Sequence, residues 1–233
     1  MRLRMPGNEF RRPAQGGFSL IELMIAVGIS GFLLLAVTVM FSSSNSSRLL
    51  QTSLSGLNES GRFALSILGR DLRMAGYRDT NWLSGGVGNA ITVVNGAPAV
   101  GGDTITVRYE ALKDCNYLDT VGGVAVNAYS LNMANNTLQC NGQAIVGGIE
   151  QIQAYFGEDT DADGVANRMM APDDPALDMT RVVSLRLNLL VRSDNDRLAS
   201  AAQTYFFDDA LVTAMDSRLR RQYSITVALR NPS

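Results

Sequence analysis

The chain has 233 residues, 46% of them hydrophobic, with two cysteines, no histidine and a formal net charge of -2. Without histidine, Ser-His-Asp and Cys-His catalysis and the usual zinc sites drop out together, and the length suits one anchored domain better than two. The charge is uneven, net +3 over Met1 to Gly17 and -5 over the rest, and so acidic a body argues against nucleic-acid binding.

Met1 to Gly17 carries Arg2, Arg4, Arg11 and Arg12 among Pro6, Pro13, Gly16 and Gly17, and reads as an unstructured targeting leader. Leu23 to Phe41 then run without a charge. As a helix, Phe18 to Phe41 would span roughly 36 Å, enough for a hydrocarbon core of about 30 Å. Glu22 stands near the start of this run, although an ionised side chain in hydrocarbon costs roughly 2.5–3.5 kcal/mol even on mild scales. An ordinary secretory signal has an apolar core of about 7–15 residues with its cleavage site behind it. Here Gly16-Gly17-Phe18 precedes the apolar run, so a cut between Gly17 and Phe18 removes the basic leader and keeps the anchor. The basic side is expected to stay in the cytoplasm and the acidic bulk to lie in the periplasm.

The run Gly17-Phe18-Ser19-Leu20-Ile21-Glu22 resembles the prepilin cleavage and methylation signature of type IV pilins and type II secretion pseudopilins. The resemblance implies that a prepilin peptidase cuts after Gly17 and N-methylates Phe18. It also implies that Glu22 neutralises the amino terminus of a neighbouring Phe18 as subunits enter a filament. Two charges left alone in an apolar bundle are costly, and pairing removes most of that cost when the partner is in register. Glu22 is therefore expected to set the register of assembly.

Ser42 to Ser47 is a polar stretch where the chain should leave the bilayer. After it Leu50, Leu54, Leu57, Gly61, Ala64, Leu68 and Leu72 recur at spacings of three and four, the stripe of an amphipathic helix. The helix is expected to continue the anchor and stop near Gly76, with Arg70 and Arg73 in its last turns. Gly56 and Gly61 each weaken it by about 1 kcal/mol relative to alanine and mark a bend or close packing. Arg70, Asp71 and Arg73 are candidates to tie the helix to the head or to a neighbour. The segment Gly61 to Tyr77 resembles the post-anchor helix of PilW-type minor pilins.

From Trp82 onward the pattern changes to short alternating runs, with Trp82 to Asn89 a loop whose glycines precede no helix. Thr104 to Tyr109, Val183 to Val191 and Tyr223 to Leu229 read as half-buried strands whose apolar faces cover the helix stripe. Ala90 to Val94, Val124 to Leu131 and Glu150 to Phe156 are weaker strand signals. The fold class is α+β: a long N-terminal helix packed against an antiparallel sheet. Cys115 and Cys140, both on the exported side, are expected to form one disulfide. Closing that loop is worth about 3.5 kcal/mol in the chain-entropy model.

Asp159-Thr160-Asp161-Ala162-Asp163-Gly164 places carboxylates at alternate positions ahead of a glycine, as in the first half of an EF-hand loop. Calcium is the ligand this spacing suits, with Val165 offering a carbonyl and Asn167 acting directly or through water. Met170 stands where that motif wants a bidentate glutamate, leaving Asp173 or Asp174 as substitutes. No other cofactor is implied. Arg218, Arg220 and Arg221 lie close to Asp208, Asp209 and Asp216 and are expected to pair internally. The closing run Arg221 to Asn231 resembles the terminal strand of PilW-type proteins, while Arg78 to Gly148 resembles no family.

The expected organisation is a leader over 1–17, a filament-core and membrane helix over 18–41, its amphipathic continuation over 42–77 and a β-rich periplasmic head over 78–233. The resemblance implies a non-enzymatic minor pilin anchored in the inner membrane and then built into a type IV pilus, at its tip or in its priming complex. Its partners would be other minor and major pilins, the prepilin peptidase and a tip adhesin. The alternatives are a J-type pseudopilin of type II secretion, or a calcium-responsive adhesion module on a pilin anchor.

Overall fold

No proline interrupts Phe18 to Met74, and helix α1 forms as one element over Leu20–Met74. The computed structural model describes residues 17–79, 87–97, 101–196, 198 and 203–231. The leader through Gly16 and most of the Trp82 to Asn89 loop lie outside them. The chain divides into two compact units, Met1–Ser47 and Arg48–Ser233.

In the first unit α1 is apolar all round and long enough to cross a membrane. Its large side chains from Phe18 to Phe41 are all more than half exposed. Its hydroxyls turn back on the helix: Ser30 and Thr38 each donate at 2.7 Å to the carbonyl four residues earlier. A hydroxyl satisfied in this way is tolerable in an apolar environment. Ser46 donates to Ser42 O in the same manner at 3.0 Å, and Ser42 to Ser47 is helical throughout.

In the second unit the helix is buried along one stripe of Leu57, Gly61, Ala64, Leu68 and Leu72. Leu50 and Leu54, counted in the stripe from their spacing, are 38% and 40% exposed, because the stripe is covered only from Leu57 onward. The helix ends at Met74, and Gly76 takes the left-handed conformation that suits a residue just past a helix (φ 72°). Its N–H donates to Arg108 O at 2.9 Å, and Glu110 N–H donates to Tyr77 O at 2.9 Å, so the chain leaving the helix is hydrogen-bonded to the sheet.

Eleven strands follow among the described residues: β1 (Ile91–Val94), β2 (Thr104–Glu110), β3 (Val124–Asn132), β4 (Thr137–Cys140), β5 (Gln143–Gly147) and β6 (Ile149–Glu158) come first. Next are β7 (Arg168–Met170), β8 (Val182–Arg192), β9 (Thr204–Phe207), β10 (Ala210–Thr213) and β11 (Arg220–Ala228). Instead of one sheet there are two antiparallel sheets, β1-β2-β3-β4-β5 and β11-β8-β6-β7, with β9 and β10 paired as a separate hairpin. Asp103 stitches the sheets together. Its buried carboxylate accepts from Gly96 N at 3.0 Å and Ala154 N at 2.7 Å, while its own N–H donates to Ile152 O at 2.9 Å.

Both sheets bury the faces that alternation assigned inward. Ile105, Val107, Leu185, Leu187, Leu189 and Val227 join the helix stripe in one core. At Gly61 the approach is closest, since an added Cβ would lie 2.5–2.7 Å from the Tyr223 ring, whose hydroxyl donates to Asn58 Oδ1 at 2.7 Å. Gly56 has open space at the same test. Gly61→Ala is therefore expected to destabilise the protein by about 1–3 kcal/mol through overpacking, whereas Gly56→Ala should stabilise it by about 1 kcal/mol. Thermal unfolding of the two variants measures the contrast, and equal shifts would remove the close-packing role of Gly61.

Candidate functional site

Gly17 lies just before α1, Phe18 is 87% exposed and Glu22 occupies the first turn of the helix. A carboxylate there is favoured by the helix N-terminus by about 0.3–1 kcal/mol. Every large apolar neighbour it has on the helix is exposed. The three residues named from the motif thus sit together at one end of an element whose apolar surface the unit itself leaves uncovered.

The acidic loop connects β6 to β7. Oxygens of Asp159, Asp161 and Asp163 lie within 4.8 Å of one another, near enough to share one cation. Asp159 also organises the loop: Gly164 N donates to it at 2.7 Å, Ala162 N at 2.7 Å and Asp161 N at 3.3 Å. These bonds, led by that from Gly164, hold its pKa below the ordinary carboxylate value. Asn167 Oδ1 accepts from Thr160 N at 2.6 Å and Thr160 Oγ1 at 3.0 Å, and Val165 N donates to Asp163 at 2.8 Å. Met170 is held in β7 opposite Phe156, and Asp174 accepts from Ala176 N at 2.8 Å. Three carboxylates therefore converge on this turn, Met170 brings no side-chain oxygen to them, and one oxygen of Asp174 is engaged by Ala176 N.

Of the three charges expected to tie the helix to the head, Asp71 does so from a buried position, with partners the sequence did not indicate. The Asp71 carboxylate is 1% exposed and accepts from Asn127 Nδ2 and Tyr129 Oη, each at 2.6 Å. Asn127 Nδ2 also reaches Tyr109 Oη at 3.0 Å and its Oδ1 accepts from Cys115 N at 2.9 Å. Burial and the Asp71 charge push the Tyr109 hydroxyl up to about 12 and Tyr129 further still. The network ties α1 to β2, β3 and the loop that the Cys115–Cys140 disulfide closes. The signal was a charge three residues after Leu68, inside the apolar stripe; Arg70, its neighbour, stays outside at 3.5 Å. Above the disulfide the loop turns Leu112, Tyr117, Leu118 and Val121 to solvent, held by the Lys113–Asp119 pair at 2.6 Å.

The arginines pair internally, but through a partner the sequence reading did not name. Arg220 forks between Glu150 (2.6 and 2.9 Å) and Asp216 (2.5 and 3.0 Å). Arg218 lies 3.7 Å from Asp216 and donates to Ser193 O at 3.0 Å, and Arg221 donates to Asn58 at 3.3 Å. Asp208, expected in this cluster, is elsewhere. With Asp209 it forms the two-residue turn of the β9–β10 hairpin (φ 53° and 62°), where it accepts from Tyr155 Oη and from Asn188 Nδ2 at 3.0 Å.

Comparison with known proteins bears on both ends of the chain. Residues 119–231 match the family model of the Type IV Pilus-assembly protein W, and residues 12–38 match the prokaryotic N-terminal methylation motif. Among solved structures the chain is similar to the type IV-like pilin TTHA1219 from Thermus thermophilus, at 20% identity and a TM-score of 0.49, over 76% of this chain and 97% of that one. No curated protein matches it significantly.

The Asp216–Arg220 contact sets a pH dependence. The guanidinium holds the Asp216 carboxyl at about 2, below its ordinary unfolded value of about 3.9. A depressed native pKa gives stability that is whole above the unfolded value and disappears as pH falls through the folded one. The unfolding midpoint of the wild type should accordingly fall more between pH 4 and pH 2 than that of Asp216→Asn. Parallel curves for the two proteins would show that the pair contributes nothing.

Proposed function

The chain belongs to the PilW-type type IV pilins, and on that premise we propose that it acts as a minor pilin, a structural subunit that enters or primes a pilus and catalyses nothing. The single observation that carries this reading is the uncovered apolar half of α1 standing behind Gly17, Phe18 and Glu22. Such a surface needs hydrocarbon or neighbouring helices around it, and a precursor that becomes a filament subunit has first one and then the other. Prepilin peptidase cuts after Gly17 and methylates Phe18. The basic leader stays on the cytoplasmic face and the head lies in the periplasm. The size of the head favours a tip or priming position, because bulk between laterally packed shaft subunits would crowd them.

Glu22 then selects register by meeting the amino terminus of a neighbouring Phe18. Glu22→Ala is expected to leave membrane levels of the protein unchanged and to abolish surface filaments, read by immunoblot of membranes and by electron microscopy. Normal piliation in that variant would falsify the register role. Deletion of the protein separates the two secretion-related systems: loss of pili supports the minor-pilin reading, and intact pili with failed enzyme secretion would reassign it as a J-type pseudopilin.

A second reading is favoured by the convergence of the Asp159, Asp161 and Asp163 carboxylates within 4.8 Å: the head binds calcium there, with Val165 and Asn167 contributing oxygen. Isothermal titration of the mature protein in detergent with calcium chloride is expected to give a heat that Asp161→Asn/Asp163→Asn removes. A flat titration of the wild type would end this reading.

A further inference from the structure

We propose that the head carries a binding cleft for neutral glycans, in the space between the β9–β10 hairpin and the outer face of the β6–β8 pair. The cleft has a volume of about 730 Å³, within the roughly 300–1,000 Å³ of pockets that hold small ligands. Three features of its lining define the ligand.

The first is its floor. A bulge in β6 makes Glu150 an extra residue, so Ile149 faces Val191 while Gln151 faces Leu190. Bulges re-aim side chains, and here Glu150, Gln151 and Gln153 all line the cleft. The amides of Gln151 and Gln153 form no hydrogen bond among the described residues. A primary amide offers both donors and an acceptor, which matches a hydroxyl that also does both.

The second is its wall. Tyr205, Phe207 and Val212 of the hairpin line the cleft together with Met133. A pyranose ring has the same division, with apolar C–H faces and a hydroxyl edge. The third is charge. Among the described residues no lysine or arginine lines the cleft, which disfavours anionic ligands. Its two carboxylates are committed elsewhere: Glu150 to the Arg220 fork, and Asp208 to Tyr155 and Asn188. Neither is left to draw a cation, and the remaining chemistry is that of an uncharged, hydroxylated ligand.

The site is pre-formed. Asp208 N donates to Gln222 Oε1 at 3.1 Å, and the Asp208 carboxylate accepts from Tyr155 Oη and from Asn188 Nδ2 at 3.0 Å, so the hairpin tip is fastened to β11, β6 and β8. Pre-organisation spares a ligand the cost of ordering the wall on binding.

The experiment is a printed glycan array probed with the mature full chain in an amine-oxide detergent, since sugar-headed detergents would compete. Neutral oligosaccharides should bind, and sialylated or sulfated ones of the same core should bind less. Calorimetry with the best neutral glycan should then show about tenfold weaker binding for Gln151→Leu/Gln153→Leu, a loss of the size expected when two neutral hydrogen bonds are removed. The isosteric Gln153→Glu covers the case in which the double variant does not fold. It places a charge in the cleft and should also weaken binding while leaving the unfolding midpoint near that of the wild type. No binding across the array, preference for acidic glycans, or unaltered affinity in the folded glutamine variants would each overturn the proposal. Glu22→Ala should bind the glycan normally, which separates this cleft from the assembly reading.

Discussion

One helix must satisfy two solvents, and the remainder of the molecule follows from that constraint. From Leu23 to Phe41 α1 is apolar on every side and needs an apolar medium around its whole circumference. From Ser53 onward the same helix is polar on most of its surface and apolar along one stripe, which only a folded partner can cover. The polar residues that occur before the change are made harmless locally, as when Ser30 and Thr38 bond to their own helix. Among the described residues Glu22 has no hydrogen-bond donor of this kind, and this is why it carries so much of the functional reading.

The two sheets are the covering of the stripe, and they grip it by different means. The β11-β8-β6-β7 sheet uses shape: Gly61 lets the Tyr223 ring lie on the helix backbone, and Ile225 comes to 3.1 Å of where a Cβ at Gly69 would stand. The β1-to-β5 sheet uses a polar anchor, the buried Asp71 carboxylate held by Asn127 and Tyr129. A buried carboxylate with fitted donors specifies one arrangement, because any slip along the helix strands a charge without partners. Asp103 then fixes one sheet to the other by accepting backbone N–H groups from both sides of the join.

The outer faces carry the features that differ from a mere scaffold. On one sheet the disulfide between Cys115 and Cys140 closes a loop that shows Tyr117 and Leu118 to solvent. On the other, the β9–β10 hairpin covers outer-face residues that strand alternation alone would leave wet: the polar Asn188 and the apolar Leu190 are 4% and 1% exposed. A hairpin joined by two aspartates in left-handed conformation is an unusual turn, tolerated because aspartate adopts that region more readily than most residues and because Asp208 is paid back by Tyr155, Asn188 and Gln222.

Local pattern was enough to determine the charge-free run, the stripe from Leu57 to Leu72, the stop at Gly76 and the inward faces of the principal strands. Each rests on a periodicity or a residue type whose consequence is local. The Gly17-Phe18…Glu22 motif was legible for the same reason, and so was the convergence of three aspartates at alternate positions on a turn. The Asn141-Gly142 turn of β4 and β5 is equally local, since left-handed φ at both residues is the ordinary signature of a tight hairpin and Asn-Gly is the pair that favours it. Tertiary structure alone decided that Leu50 and Leu54 stay exposed, that the strands part into two sheets, that Asp71 turns inward, that Glu150 rather than Asp208 holds Arg220, and that a hairpin closes a cleft. These depend on which distant groups meet, through contacts tens of residues apart such as Asp71 with Tyr129 or Arg220 with Glu150, and no local spacing encodes such a meeting.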